Sequence, residues 1–172
     1  GDVTFDNIRI EPKPETTGML STCSDGIHAK NNRGSVYIKN SYIEACGDDL
    51  ISISTKDEKI KEKINSVTYV LQSSEISYYF YDICLGDILL FTEGESGNIL
   101  GEAEVISVEQ NASNRTHRVV LDKEISGLDN YEAFENVSVI NQTTSSKGTE
   151  ITGNTLVPVF RHAMLLSLND AN

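Results

Sequence analysis

Ser24-Asp25-Gly26-Ile27-His28 and Gly47-Asp48-Asp49-Leu50-Ile51-Ser52-Ile53 decide the reading of this chain. Each reads as a short strand with apolar residues alternating to one face, entered through an acidic residue. Setting Ile27 and Ala29 against Ile51 and Ile53 lays Asp25 on Asp49 and His28 on Ser52. Equivalent residues of neighbouring parallel strands stand ~4.8 Å apart. Asp25, Asp48 and Asp49 are therefore expected on one small patch. Carboxylates crowded so closely are costly unless they bind a cation or share protons.

Outward from this pair, one unit recurs. Val3 to Ile10, Ser35 to Ile43 and Thr149 to Val157 each carry β-branched residues at alternate positions. Each leads, after a turn, into an alternating strand: Gly26 to Lys30, Leu50 to Ser54 and Ala163 to Leu168. Asn7, Asn40 and Asn154 sit near the strand exits, where a turn residue tolerating left-handed backbone angles is needed. Recurrent short strands without a convincing amphipathic helix predict an all-β fold, specifically a stretch of parallel β-helix. An ordinary sandwich is the alternative. If Met164 takes the place of Ile51, His162 falls on Asp49 and Asp25, and Arg161 falls on Asp48. A register slip of one residue would turn these side chains to the other face.

Between Thr55 and Lys147 the repeat disappears. Lys56 to Lys63 reads as a charged, solvated connector able to form a short helical turn. Ser66 to Gln72, Asp87 to Phe91, Ala103 to Glu109, His117 to Leu121 and Val137 to Asn141 then read as strands separated by turn-rich stretches. Five or six such strands suffice for a small antiparallel barrel. The expected organisation is 1–55 in β-helix coils, 56–146 as an inserted barrel-like module, and 147–172 returning to the helix. His117 is expected on an exposed barrel strand, and Tyr78 to Tyr81 as a packed edge or sugar-stacking cluster.

Composition narrows the partners. A net charge of -12 disfavours nucleic acid, which calls for a basic footprint, and weakens the case for a polyanionic glycan. Neutral glycans, cations and other proteins stay open. No apolar run is long enough to span a membrane. Cys23, Cys46 and Cys84 show neither a CxxC pair nor zinc spacing and are expected as free core thiols. The chain opens at Gly1-Asp2 with a strand already under way at Val3, so it reads as a piece of a longer polypeptide.

The stretches Asp25-Gly26-Ile27-His28, Arg33-Gly34, Val36 to Ile43, Gly47 to Ile53, and Gly153-Asn154-Thr155 through Arg161-His162-Ala163-Met164-Leu165-Leu166 together resemble the pectin-lyase-like right-handed β-helices. Within that group the chain is most similar to the family-110 glycoside hydrolases, exo-acting α-1,3-galactosidases of gut bacteria. An inserted barrel directly after Ile53, with a run like Gly86 to Phe91 inside it, is part of the likeness. Polygalacturonases share the Asp-Gly strand start followed by Gly-Asp-Asp. The family-110 pattern usually carries Asn and His where this chain has Ser52 and Ser54.

The resemblance implies a glycoside hydrolase acting on a neutral glycan, including one ending in an α-galactoside, with Asp25, Asp48 and Asp49 as the catalytic carboxylates. His28, Arg161 and His162 would contact substrate or steady charge. No cofactor or metal is called for by that chemistry, which needs one carboxylic acid and one carboxylate. It further implies a bacterial protein, secreted, periplasmic or on the cell surface. Exposed β-helix ends call either for a cap or for pairing with a second copy as a homo-oligomer. The alternatives are a non-catalytic glycan-binding or structural β-helix module, a turn capped by aspartates, a Ca²⁺ site built from the three carboxylates, and a Ca²⁺-assisted lyase with Arg161, Arg33 or Lys30 as base.

Overall fold

The computed structural model describes residues 1–15, 17–73 and 83–167, so the tyrosine-rich stretch 78–81 lies outside the described residues. The chain divides into two units, Gly1–Thr55 with Thr144–Asn172, and Lys56–Thr143.

Among the described residues the first unit holds nine strands. They are β1 (Val3–Asp6), β2 (Arg9–Ile10), β3 (Ile27–Lys30), β4 (Val36–Lys39), β5 (Tyr42–Glu44), β6 (Ile51–Ser54), β13 (Glu150–Thr152), β14 (Thr155–Val157) and β15 (Met164–Ser167). They form three parallel sheets, ordered β1-β4-β13, β14-β5-β2 and β15-β6-β3. The register follows the apolar alternation: Phe5 lies on Ile38 and Ile38 on Ile151, while Ile27 and Met164 both lie on Ile51. Val36, Ile38, Ile43, Ile51 and Ile53 are fully buried in one cluster. Full burial of a branched aliphatic side chain contributes about 1.5–3 kcal/mol, which makes the central strands the anchor of the unit.

The turns are built as the asparagines suggest, with one exception. Asn7 and Asn40 adopt left-handed angles, φ 54° and 50°. In the third repeat Gly153 takes that conformation at φ 66°, and Asn154 instead bridges to the neighbouring repeat. Its Oδ1 accepts from the Ser41 N–H at 2.8 Å, and its Nδ2 donates to the Ile38 carbonyl at 2.7 Å.

The second unit contains β7 (Asp57–Lys63), β8 (Thr68–Ser73), β9 (Ile88–Glu93), β10 (Ile99–Asn111), β11 (Thr116–Leu121) and β12 (Val137–Asn141). They close into a barrel in the order β10-β11-β8-β7-β12-β9, with β9 pairing back onto β10 and every neighbouring pair antiparallel. Tyr69, Leu71, Leu89, Phe91, Val105, Val119, Val137 and Val139 fill its interior. The inserted antiparallel barrel is thus present.

The expectation of a right-handed parallel β-helix is corrected. Among the described residues parallel pairing forms three separate sheets of three short strands and one isolated bridge between Thr22 and Cys46, and about half the chain forms a closed antiparallel barrel. A unit that recurs only three times ends each sheet at its third strand. The chain is all-β, with two single-turn 3-10 segments and no α-helix among the described residues.

Three local expectations are corrected as well. Lys56 to Lys63 is no solvated connector: β7 buries Glu58 and Ile60 in the barrel wall while Lys61 stays exposed. His117 is fully buried, because it shares an inward face with Val119 and Leu121 on β11. Of the cysteines, only Cys46 is fully inside; Cys84 is intermediate and Cys23 exposed, and all three are free thiols.

Candidate active site: a three-carboxylate cluster

Asp25 and Asp49 each stand two residues ahead of a strand, β3 and β6, and the strands fix their stacking. Gly26 N–H donates to the Asp49 carbonyl at 3.0 Å, Ile27 N–H to Leu50 at 3.0 Å, and Leu50 N–H to His162 at 3.1 Å. These bonds carry the register of β3, β6 and β15 back into the turns that hold the acidic residues. Two glycines allow the close approach. A Cβ at Gly26 would lie 2.6 Å from the Leu50 carbonyl oxygen, and one at Gly47 would lie 2.7 Å from that of Cys23.

Asp48 and Asp49 are sequence neighbours, and on a regular strand they would face opposite ways. The chain bends at Gly47-Asp48, ahead of β6, and both carboxylates turn to one side. One oxygen from each of Asp25, Asp48 and Asp49 lies within 4.8 Å of the others. All six residues singled out from sequence meet there.

Each carboxylate has its own basic neighbour. The His28 Nδ1 is 2.6 Å from Asp25 Oδ2, the Arg161 Nε is 3.4 Å from Asp48 Oδ1, and the His162 Nδ1 is 3.0 Å from Asp49 Oδ1. Main-chain donors add to this. The Asp49 N–H donates to Asp25 Oδ1 at 3.1 Å, and the His162 N–H donates to Asp49 Oδ1 at 3.2 Å. Both bonds are of the side-chain to backbone kind that the aspartate-capped turn reading of the sequence expects, although the sequence does not say which amides are met.

Exposure separates the members. The side chains of Asp25 and Asp49 are 10% and 7% exposed, whereas Asp48 is 45% exposed and the three basic side chains more so. The cluster therefore has a buried floor of two carboxylates and an open rim. Chemically it can deliver or accept a proton at its surface, or offer oxygen ligands to a hard cation. The Arg161 guanidinium beside Asp48 lowers the uncompensated negative charge a cation would seek.

No family model matches the chain. Two curated proteins do resemble it. Both are named alpha-1,3-galactosidase A, from two strains of Bacteroides fragilis, and each is 25% identical over 163 residues. The matched region covers 88% of this chain and 27% of each relative, so the chain spans about a quarter of their length. The likeness supports a distant, glycoside-hydrolase-like relationship.

Proposed function

We propose that this chain carries the carboxylate centre of a glycoside hydrolase that cleaves a neutral glycan at a terminal α-galactoside. The observation that carries this reading is the convergence of Asp25, Asp48 and Asp49 within 4.8 Å at a partly open surface. Hydrolysis of a glycosidic bond requires one carboxylic acid to protonate the leaving oxygen and one carboxylate to act on water or on the sugar. The acid and the base are drawn from these three residues, and His28, Arg161 and His162 hold them in place and border the substrate. The similarity to proteins named alpha-1,3-galactosidase A supports galactose as the sugar. The net charge of -12 favours an uncharged glycan over a polyuronate.

The test is to incubate the protein with a disaccharide bearing α-1,3-linked galactose, with its α-1,4 and α-1,6 counterparts, and with polygalacturonate, and to quantify released sugar. Release of galactose from the neutral α-linked substrates is expected. Cleavage of polygalacturonate alone would overturn the substrate class. Binding of galactosides without turnover would favour a glycan-binding module instead.

A further inference from the structure

The turn that carries Asp48 and Asp49 is matched residue for residue by the turn that carries Arg161 and His162. Glu44 lies on Val157 and Ile51 on Met164, so residues 45–50 and 158–163 stack without a gap. The Ala45 N–H donates to the Val157 carbonyl at 3.2 Å, and the Leu50 N–H to the His162 carbonyl at 3.1 Å. In this register Val159 falls on Cys46 and Phe160 on Gly47. The parallel bridge between Thr22 and Cys46 continues the stack and places Cys23 on Gly47. Cys46 is buried and Cys23 exposed, so Val159 continues an inward column and Phe160 an outward one. Phe160 is 50% exposed. It directly precedes Arg161 and His162, whose side chains meet Asp48 and Asp49. A half-open aromatic residue thus borders the carboxylate cluster.

We infer that Phe160 is a specificity-determining residue, an aromatic platform for the C–H face of the terminal galactose. The inference rests on the hydrolase reading above and adds to it a means of recognising the sugar. Carboxylates and basic groups can hydrogen-bond the hydroxyls of any hexose, and small-molecule sites pair a few such groups with apolar walls. In galactose the configuration at C4 turns H4 to the same side as H3 and H5, which makes one continuous apolar face. In glucose H4 lies on the opposite side and that face is broken. The negative face of an aromatic ring attracts such C–H groups. Phe160 lies one residue along and one strand across from Asp48, so their Cα atoms stand about 6 Å apart, a separation that one hexose bridges. Phe160 has no polar side-chain atom, so it stacks and excludes water and takes no part in proton transfer.

The chain contains no tryptophan, so Phe160→Trp places a single indole at the proposed contact and reads sugar binding without turnover. The experiment titrates this variant with galactose and with glucose, following tryptophan emission. Steady-state kinetics of the wild type, Phe160→Ala and Phe160→Tyr on the α-1,3-linked galactose disaccharide run beside it. A saturable emission change with galactose and none with glucose is expected. Phe160→Ala should raise KM about 10- to 100-fold, the scale of one lost aromatic contact area, with kcat less affected. Phe160→Tyr keeps the ring and should behave as the wild type. An unchanged KM in Phe160→Ala, or an emission that ignores galactose or answers glucose equally, overturns the inference, while turnover by the wild type leaves the hydrolase reading intact. Galactose-dependent emission in a protein that releases no galactose overturns the hydrolase reading and keeps Phe160 as a sugar contact. Neither turnover nor an emission response overturns both.

Discussion

His162 places two donors on a single oxygen of Asp49, its main-chain N–H at 3.2 Å and its ring Nδ1 at 3.0 Å. The first is fixed by the register of β15 on β6, and the second depends on the side chain alone. His162→Ala therefore keeps half of the clamp. Because the ring is largely exposed, the melting temperature should move by no more than about 2 °C. Loosening a carboxylate of the reacting cluster should lower kcat by about 10- to 100-fold with KM little changed, since small displacements in a catalytic group are costly. Steady-state kinetics alongside thermal melts check both parts; an unchanged kcat would remove His162 from the site.

Gly47 governs how the acidic turn packs. A Cβ there would stand 2.7 Å from the Cys23 carbonyl oxygen and 2.8 Å from its carbon, both main-chain atoms that cannot rotate aside. Gly47→Ala should destabilise the protein by about 1–3 kcal/mol, the usual cost of overpacking, and displace Asp48. Denaturant titration and activity should fall together. Wild-type stability in this variant would mean that the turn is softer than its contacts indicate.

Glu58 sets a pH dependence in the barrel. Burial, reinforced by the negative charge of Asp57, raises its pKa from 4.5 to about 8, and its Oε2 has no hydrogen-bond partner among the described residues. The folded state therefore holds a proton that the unfolded chain releases near pH 4.5. The stability of the protonated form is fully present below that pH and is lost as pH rises through about 8. Glu58→Gln should flatten this slope and raise stability at pH 9 by an amount on the order of a few kcal/mol. Urea midpoints between pH 5 and 9 measure it; parallel curves for both proteins would show that Glu58 is charged throughout.

Much of the carboxylate cluster was legible because two simple rules overlap there. Alternation of Ile27 and Ala29 against Ile51 and Ile53 sets the register, and Asp-Gly and Gly-Asp-Asp mark where the strands begin. Met164 opposite Ile51 then carries His162 onto Asp49. What failed had equally physical causes. Lys56 to Lys63 looks solvated because seven of its eight residues are charged, Glu58 among them, and no charge count reveals that Glu58 is buried; only the Glu58-x-Ile60 spacing marks the inward face. His117 was misjudged for the opposite reason, a polar residue carried inside by the alternation of Val119 and Leu121. The solenoid expectation extended a local repeat into a global architecture, although three occurrences give only three strands per sheet and the barrel claims the remaining strands.

The most direct test of the carboxylate centre is galactose release from the α-1,3-linked disaccharide by the wild-type protein beside Asp25→Asn, Asp48→Asn and Asp49→Asn. Turnover by the wild type, falling about 10²–10⁴-fold in at least two of the folded variants, is the expected result. Turnover that survives all three substitutions would contradict a reaction carried by this cluster.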